Sequence, residues 1–311
     1  MSRIAFLFPG QGSQLPGMGR ELYESYPESR ELFEAADRTL DSPLTRLCFE
    51  GSADELSLTE NTQPSILGVS VAALRALEAR GVRPVAAAGH SLGEYSAQVC
   101  AGTLDVLDAL RTVRLRGRFM QEAVEVGRGA MAAILGLDLE SVERVCAEVA
   151  GDEVVCPANV NSPTQIVIAG HADAVSRAID ALGQAGARRA IPLPVSAPFH
   201  CPLMRPAAER LRPVLDDLPF HTPAIPVYTN VDARAVTDGP AARTALARQV
   251  EAPVRWHELV QAMIADGIDT FVEVGPGKVL SGLVRKIDRN VRVLSAGDRD
   301  GIEDTVSEIA Q

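Results

Sequence analysis

The chain has 311 residues, of which 46% are hydrophobic and 23% are charged, and these are the proportions of an ordinary globular protein. Its net charge of −11 argues against a nucleic-acid-binding protein, which would present a basic face. No stretch reaches about 18 uninterrupted apolar residues, so we expect no membrane-spanning helix. Five scattered cysteines, and an apolar N-terminal run too short for a secretory signal, indicate a cytoplasmic protein with reduced thiols.

Strands and helices alternate through the first part of the chain. The expected order is a buried strand at 3–8, helices at 21–39 and 60–81, a strand at 84–90, and helical segments at 91–102 and 104–123. Apolar runs at 226–230, 269–275 and 291–297 again predict strands that alternate with helices. This alternation predicts an α/β fold with a parallel sheet.

The middle of the chain follows a different order. Strands are expected at 129–137, 154–162 and 165–171, helices at 139–149 and 172–186, and a closing strand in ARRAIPL at 187–193. A β-α-β-β-α-β order is that of a ferredoxin-like unit. The sequence therefore predicts a large α/β domain formed by 1–125 and 197–311, interrupted by a small ferredoxin-like domain at 126–196.

Two glycine-rich segments match nucleotide-binding loops only in part. FPGQGSQLPGMG follows the first strand, but Leu15 stands where a dinucleotide fingerprint has its third glycine, and Pro16 prevents a helix from continuing out of the turn. In VEVGPGKV, Val272 and Val279 replace the first glycine and the hydroxyl residue of a Walker loop. We therefore expect neither segment to bind the phosphates of a nucleotide.

GHSLG at 89–93 matches the G-x-S-x-G pattern of a nucleophile elbow. The flanking segments are those that a nucleophile elbow needs, because an apolar strand precedes the pattern and a helical segment follows it. In such an elbow Ser91 stands at the N-terminus of a helix, where free N–H groups favour developing negative charge. The pattern predicts that Ser91 is a nucleophile. The alternative is a chance match in which the serine only caps a helix.

A serine nucleophile needs a base, and the chain has five histidines. His200, in PVSAPFHCPLM, lies in a proline-containing loop just before a helix, and it is the first candidate because catalytic groups are common in loops. The other four are expected in structural or surface positions: His90, His171, His221 and His257. Cys201 follows His200 directly, and adjacent side chains rarely reach hydrogen-bond geometry, so we do not expect a cysteine–histidine pair.

Six segments occur in an order and at spacings that resemble a known family. They are FPGQGSQ, GHSLGEYSA, RGRFMQ, NSPTQIVIAG, VSAPFHC and EVGPGK. Together they resemble the malonyl-CoA:acyl carrier protein transacylases, which are related to the acyltransferase domains of fatty acid and polyketide synthases. The resemblance implies an α/β-hydrolase-like large domain with a small ferredoxin-like domain. It also implies transfer of malonyl from malonyl-CoA to the phosphopantetheine thiol of acyl carrier protein, with neither a metal nor a cofactor.

The resemblance implies roles for individual residues as well. Ser91 would form a malonyl ester in a ping-pong mechanism, and His200 would act as its base. Because members of the family typically have no acidic partner for this histidine, the main-chain carbonyl of Gln249 would orient it. The main-chain N–H groups of Gln11 and Leu92 would bind the oxyanion.

Arg116 lies on a largely apolar face of the predicted helix 104–123, whereas the other arginines of that helix share a solvated face. An arginine directed into apolar surroundings requires an anionic partner. The resemblance implies that this partner is the free carboxylate of malonyl, held by a bidentate pair. An internal salt bridge is the alternative. Phe199 and Met120 would contribute to selection of the acyl group.

Two other classes of function remain open. A serine hydrolase of the α/β type would order its triad Ser, Asp, His and would often carry an H-G-G segment, which this sequence lacks. A non-catalytic interaction protein would leave a strained elbow without a use. For the transacylase, acyl carrier proteins are themselves acidic, so docking requires a local basic patch, for which Arg188 and Arg189 are candidates. We expect a monomer that binds neither nucleic acid nor membrane.

Overall fold

The computed structural model describes residues 2–40, 43–195 and 197–310, and within them it contains two separate β-sheets. The strands, in chain order, are β1 (Ile4–Phe8), β2 (Ala86–Gly89), β3 (Gly129–Leu135), β4 (Val155–Ser162), β5 (Gln165–His171), β6 (Arg189–Pro192), β7 (Val227–Tyr228), β8 (Ala235–Val236), β9 (Thr270–Val274) and β10 (Arg292–Ala296). The larger sheet has six strands and the smaller sheet has four.

Helices connect the strands and cover both faces of the larger sheet. In chain order they are α1 (Arg20–Ser25), α2 (Pro27–Leu40), α3 (Leu44–Glu50), α4 (Ala53–Ser57), α5 (Thr59–Ala79), α6 (Gly93–Cys100), α7 (Val106–Glu122), α8 (Leu139–Ala150), α9 (Ala172–Gln184), α10 (Arg205–Asp216), α11 (Gly239–Gln249), α12 (Trp256–Ala265), α13 (Val279–Ile287) and α14 (Arg299–Ile309). Among the described helices, none combines the length and the apolar character needed to cross a membrane.

The larger sheet has the strand order β10-β9-β1-β2-β7-β8, and all its pairs are parallel except that between β7 and β8. Strands β1, β2 and β9 are buried along their whole length, as expected when helices cover both faces of a parallel sheet. Phe6 and Phe8 pack into the core on one face, while Leu7 packs with Phe271 and Trp256 on the other. The predicted parallel α/β fold is confirmed.

The smaller sheet has the order β4-β5-β3-β6, and every pair in it is antiparallel. Helices α8 and α9 contribute apolar side chains, among them Val142 and Ala178, to a core of their own with this sheet. The arrangement is the ferredoxin-like one that the element order predicts. The predicted boundaries of the two domains stay a prediction, and Ser196, at the second boundary, lies outside the described residues.

Main-chain hydrogen bonds join strand β4 of the smaller sheet to the loop that follows α11. The Val160 N–H donates to the oxygen of Val254, and the Val254 N–H donates to the oxygen of Ala158, each at 2.9 Å. These bonds fix the loop after Gln249 against the smaller sheet.

Several local details differ from the expectation. The helix predicted at 21–39 is two helices, because Pro27 has no N–H with which to continue α1 and instead begins α2. Helices α3 and α4 are not predicted, although Ser52 and Glu55 form a capping box at the start of α4 that the sequence already contains. The strand expected at 226–230 is reduced to the two residues of β7, and the equally short β8 is not predicted.

Candidate active site

The GHSLG segment forms a sharp turn between β2 and α6. Ser91 at its centre has a φ of 53°, in the left-handed region that is strained for a residue with a side chain. A Cβ added at Gly89 would lie 1.9 Å from the carbonyl carbon of Gly93, and one added at Gly93 would lie 2.1 Å from the oxygen of Phe8. Only glycine fits at either position, which is the physical reason for the spacing of this motif.

Ser91 and His200 meet in hydrogen-bond contact. Ser91 Oγ lies 2.7 Å from His200 Nε2, and His200 Nδ1 lies 2.9 Å from the main-chain oxygen of Gln249. Because a carbonyl oxygen can only accept, Nδ1 carries the proton and Nε2 accepts the hydrogen bond of the serine hydroxyl. Burial, and then the positive charge of Arg116, lower the pKa of His200 to about 3. The imidazole is therefore neutral near pH 7 and can accept a proton from Ser91.

The remaining histidines make other contacts. His90 Nε2 lies 2.9 Å from Asn161 Oδ1, and His171 Nδ1 accepts from the Val154 N–H at 2.9 Å. The other two do not line the cavity that contains Ser91. Across the part of the chain that the structure describes, no group of three or more His, Cys, Asp and Glu side chains is arranged to hold a metal ion.

The thiol of Cys201, next to His200, makes its hydrogen bond to the main chain and not to Ser91. Cys201 is fully buried, and its Sγ donates to the main-chain oxygen of Pro198 at 3.0 Å. Burial raises the pKa of this thiol to about 12, so it stays protonated and unreactive near neutral pH. The contacts of Cys201 are those of a structural residue.

Arg116 on α7 is only 1% exposed, and its guanidinium lies beside the serine. It donates to Gln63 Oε1 at 2.7 Å, to Gln249 Oε1 at 2.9 Å and to Ser91 Oγ at 3.2 Å. None of the ion pairs found among the described residues includes Arg116, so the alternative of an internal salt bridge is not observed. A buried cation held only by neutral oxygens can accept a ligand carboxylate as its counter-ion.

Three buried side chains beneath Ser91 form a network that sequence analysis does not identify. Glu94 Oε2 accepts from the Asn230 N–H and from Gln249 Nε2, each at 2.8 Å. Asn230 Oδ1 in turn accepts the Ser91 N–H at 2.7 Å. Burial raises the pKa of Glu94 to about 7, against the opposing effect of these hydrogen bonds. The only signal in the sequence is a glutamate in the first turn of an otherwise largely apolar helix.

The two predicted oxyanion donors, Gln11 and Leu92, line the same cavity of about 110 Å³ as Ser91 and His200. Leu92 directly follows the serine, and the loop that carries Gln11 packs against the elbow. A Cβ added at Gly10 would lie 2.4 Å from the main-chain oxygen of His90, so the close approach of this loop requires glycine. Both N–H groups are free of any acceptor within the described parts of the chain.

The same cavity is bounded by the two residues expected to influence the acyl group. Phe199 and Met120, which are 8% and 2% exposed, line it together with Gln63. Met131, Asn159, Leu193 and Val195 complete the wall from the side of the smaller sheet. The space beside Ser91 is therefore narrow and mostly apolar, and Arg116 is the one charged residue in its lining.

A second cavity of about 400 Å³ adjoins the first one, and the two share the lining residues Gln11, His90, Asn159, Leu193 and Val195. It lies between the N-terminal loop, strands β4 and β5, and the start of α13. One of its lining residues, Val279, is 48% exposed, so this cavity reaches the protein surface. Together the two cavities give a path from solvent to the serine hydroxyl.

Comparison with known sequences identifies close relatives over almost the whole chain. The acyl transferase domain family matches residues 5–299. A malonyl CoA-acyl carrier protein transacylase of Bacillus subtilis is 50% identical over 304 residues, which are 97% of this chain and 96% of that protein. The enzyme of the same name from Escherichia coli K12 is 51% identical over 288 residues, 92% of this chain and 93% of the relative.

Solved structures give the same result. The malonyl CoA-acyl carrier protein transacylase of Coxiella burnetii superposes with a TM-score of 0.97 at 42% identity, covering 100% of this chain and 98% of that one. A malonyl-transacylase solved in complex with its type II PKS acyl-carrier protein superposes with a TM-score of 0.96 at 45% identity, covering 99% and 100%. The chain therefore belongs to the acyl transferase domain family, among the malonyl CoA-acyl carrier protein transacylases.

Proposed function

We propose that the protein transfers a malonyl group from malonyl-CoA to the phosphopantetheine thiol of an acyl carrier protein through a malonyl ester of Ser91. The observation that carries this proposal is the environment of Ser91 Oγ. The oxygen lies 2.7 Å from the neutral imidazole of His200 and 3.2 Å from the guanidinium of Arg116, which has no carboxylate partner among the described residues. Ser91 Oγ is thus in hydrogen-bond contact both with a base for its proton and with a cation that can bind the carboxylate of a dicarboxylic acyl group.

In the first half-reaction the Ser91 hydroxyl attacks the thioester carbonyl carbon while His200 Nε2 takes its proton. The N–H groups of Gln11 and Leu92 bind the oxyanion of the tetrahedral intermediate. When the intermediate collapses, the carbon–sulfur bond breaks and the thiolate of coenzyme A leaves, with the proton returned from the imidazolium. The carbonyl of Gln249 stabilises that imidazolium through Nδ1–H. A thiolate leaves readily, so a carbonyl suffices where a protease uses a buried aspartate.

Arg116 then holds the free carboxylate of the malonyl group by charge-assisted hydrogen bonds. An acetyl group has no such carboxylate and would leave the buried guanidinium without a counter-ion. Phe199 and Met120 limit the space beside it and so disfavour larger acyl groups. Selection of malonyl therefore rests on one buried charge within a narrow apolar cavity.

In the second half-reaction the carrier thiol enters along the path from the second cavity, gives its proton to His200 and attacks the ester carbonyl. The bond between the acyl carbon and Ser91 Oγ breaks, His200 returns the proton to that oxygen, and the acyl group leaves as a thioester of the carrier. Protons and electrons balance within Ser91, His200 and the two thiols, so the reaction requires no cofactor or metal. Arg188 and Arg189, both exposed, are candidates for docking an acidic carrier. We further propose a cytoplasmic monomer that takes part in fatty acid or polyketide synthesis.

Intact-mass spectrometry tests the proposed function. The protein is mixed with malonyl-, methylmalonyl- or acetyl-CoA, with and without holo acyl carrier protein, and a malonyl adduct is expected that disappears in Ser91→Ala and moves to the carrier when one is added. Rapid release of free malonate without a carrier, and no stable adduct, would instead indicate the serine hydrolase.

A further inference from the structure

The transfer steps leave one charged side chain of the site without a role. Glu94, in the first turn of α6, is fully buried beneath the serine. Its Oε2 accepts two hydrogen bonds, from Gln249 Nε2 and from the Asn230 N–H, whereas its Oε1 has no partner among the described residues. Burial of an ionisable carboxyl group in an apolar core is unfavourable, so the stability of the fold alone does not explain this residue.

Glu94 belongs to a set of acceptors that surround one end of the Gln249 amide. Gln249 Nε2 lies 2.8 Å from Glu94 Oε2, 3.0 Å from the oxygen of Ser91 and 3.2 Å from Asn230 Oδ1. The opposite end, Oε1, accepts from Arg116 at 2.9 Å. If the amide turned over, its oxygen would face three acceptors and its NH₂ group would face a guanidinium. The closest acceptor therefore fixes the amide in the orientation that serves Arg116.

We propose that Glu94 is a positioning residue for acyl transfer, which acts through Gln249 on both Arg116 and His200. The inference rests on the proposed function, because it assigns Glu94 to the selection of malonyl at that same site. By holding the side chain of Gln249, Glu94 aims its oxygen at Arg116 and so fixes the guanidinium beside the acyl group. By anchoring the same residue, it also holds the main-chain carbonyl that orients His200.

The reach of the Glu94 carboxyl group, rather than its charge, is what this role requires. With a pKa of about 7, the group is partly protonated near neutral pH. The proton then resides on Oε1, which has no partner, while Oε2 continues to accept from Gln249 and Asn230. An uncharged side chain of the same length therefore keeps the acceptor where it is needed, and a shorter carboxylate does not.

Two substitutions separate reach from charge. Glu94→Gln keeps the length and an acceptor oxygen but removes the charge, whereas Glu94→Asp keeps the charge and withdraws the oxygen by one methylene. The readout is the ratio of kcat/KM for malonyl-CoA to that for acetyl-CoA with holo acyl carrier protein. We expect Glu94→Gln to keep the wild-type ratio and Glu94→Asp to lower it about tenfold or more, because small misplacements of positioning groups have effects of this size. Loss of selectivity in Glu94→Gln, or a wild-type ratio in Glu94→Asp, would overturn the assignment.

The matched control is Glu273→Asp. Glu273 is also fully buried, and it accepts the N–H groups of Leu280 and Ser281 at the start of α13, outside this network. Its shortening should lower Tm and leave the selectivity ratio unchanged. If Glu94→Asp does not fold, Glu94→Ser, which also lacks the reach, is measured with the same expected loss. Absence of a malonyl adduct on the wild-type protein would count against the proposed function, whereas an unaltered ratio in an active variant counts only against the role of Glu94.

Discussion

Replacement of Arg116 tests the proposal that this residue selects malonyl over acetyl. Arg116→Met removes the charge but keeps most of the apolar stem, which packs inside the core. A guanidinium has five N–H donors, and three hydrogen bonds to the protein are present, to Gln63, Gln249 and Ser91. Acylation turns Ser91 Oγ into an ester oxygen, which is a weaker acceptor, so one N–H of Nη2 becomes available in addition to the unused N–H of Nη1, and these two donors can bind the malonyl carboxylate.

The size of the effect follows from these two donors. A hydrogen bond to a charged group contributes about 1.5 kcal/mol at the lower end of its range, so two contribute about 3 kcal/mol. At about 1.4 kcal/mol per factor of ten, kcat/KM for malonyl-CoA should fall about 150-fold in Arg116→Met. Acetyl-CoA makes neither bond, so its kcat/KM should change much less. The selectivity ratio should therefore fall by nearly the whole of that factor.

The assay follows acyl transfer to holo acyl carrier protein by mass spectrometry for both donors over a range of concentrations. Arg114→Met is the control, because Arg114 lies on the same helix but lines a separate surface cavity instead of the one that contains Ser91. Arg114→Met should leave kcat/KM unchanged for both malonyl-CoA and acetyl-CoA. Equal losses for malonyl-CoA and acetyl-CoA in Arg116→Met would refute the reasoning, since Arg116 would then support the reaction without recognising the carboxylate.

Three further predictions concern the elbow, the base and the carrier. Gly89→Ala should lower the free energy of unfolding by about 3 kcal/mol or more, because its Cβ cannot be accommodated. Gly183→Ala in α9, where an added Cβ meets no other atom, should raise the free energy of unfolding by about 0.5–1 kcal/mol. Urea denaturation measures both values. The acid limb of kcat/KM for acetyl-CoA should lie below pH 6.5, because the pKa of His200 is lowered to about 3 and the base stays neutral down to that pH. An acid limb at pH 6.5 or above would contradict this prediction. The same shift should lower the free energy of unfolding as the pH drops from 6.5 towards 3, because in that range the unfolded chain binds the proton and the folded chain does not. Replacing Arg188 and Arg189 by Gln should raise KM for the carrier and not for malonyl-CoA; equal changes in both would argue against docking there.

The features that sequence analysis identifies are those that local geometry dictates. The elbow is predictable because its G-x-S-x-G spacing is local, and the steric limit on Gly89 comes from Gly93, four residues further along the chain. The inward direction of Arg116 follows from helical periodicity, since α7 has the expected bounds to within two residues at each end. The alternating strands and helices, which predict both sheets, are likewise recognisable from the local pattern of apolar residues.

The features that sequence analysis misses depend on contacts between distant segments. Asn230 reaches the Ser91 N–H, and the side chain of Gln249 reaches Arg116, across more than a hundred residues of chain in each case. Nothing near either residue in the sequence indicates these contacts. Only the main-chain carbonyl of Gln249 is anticipated, and that expectation comes from the family resemblance rather than from any pattern in the segment itself.

The position of Gln249 connects the two properties that the proposed reaction needs. Its main-chain oxygen holds His200 in the tautomer that can accept the serine proton, and its side-chain oxygen holds the guanidinium of Arg116. Burial, and then the positive charge of Arg116, lower the pKa of His200, so the charge that would select malonyl also helps to keep the base neutral. Reactivity and selectivity therefore depend on one buried network. A substitution that loosens the Gln249 side chain should weaken both together, whereas one at the wall of the cavity, such as Phe199, should change the acyl preference alone.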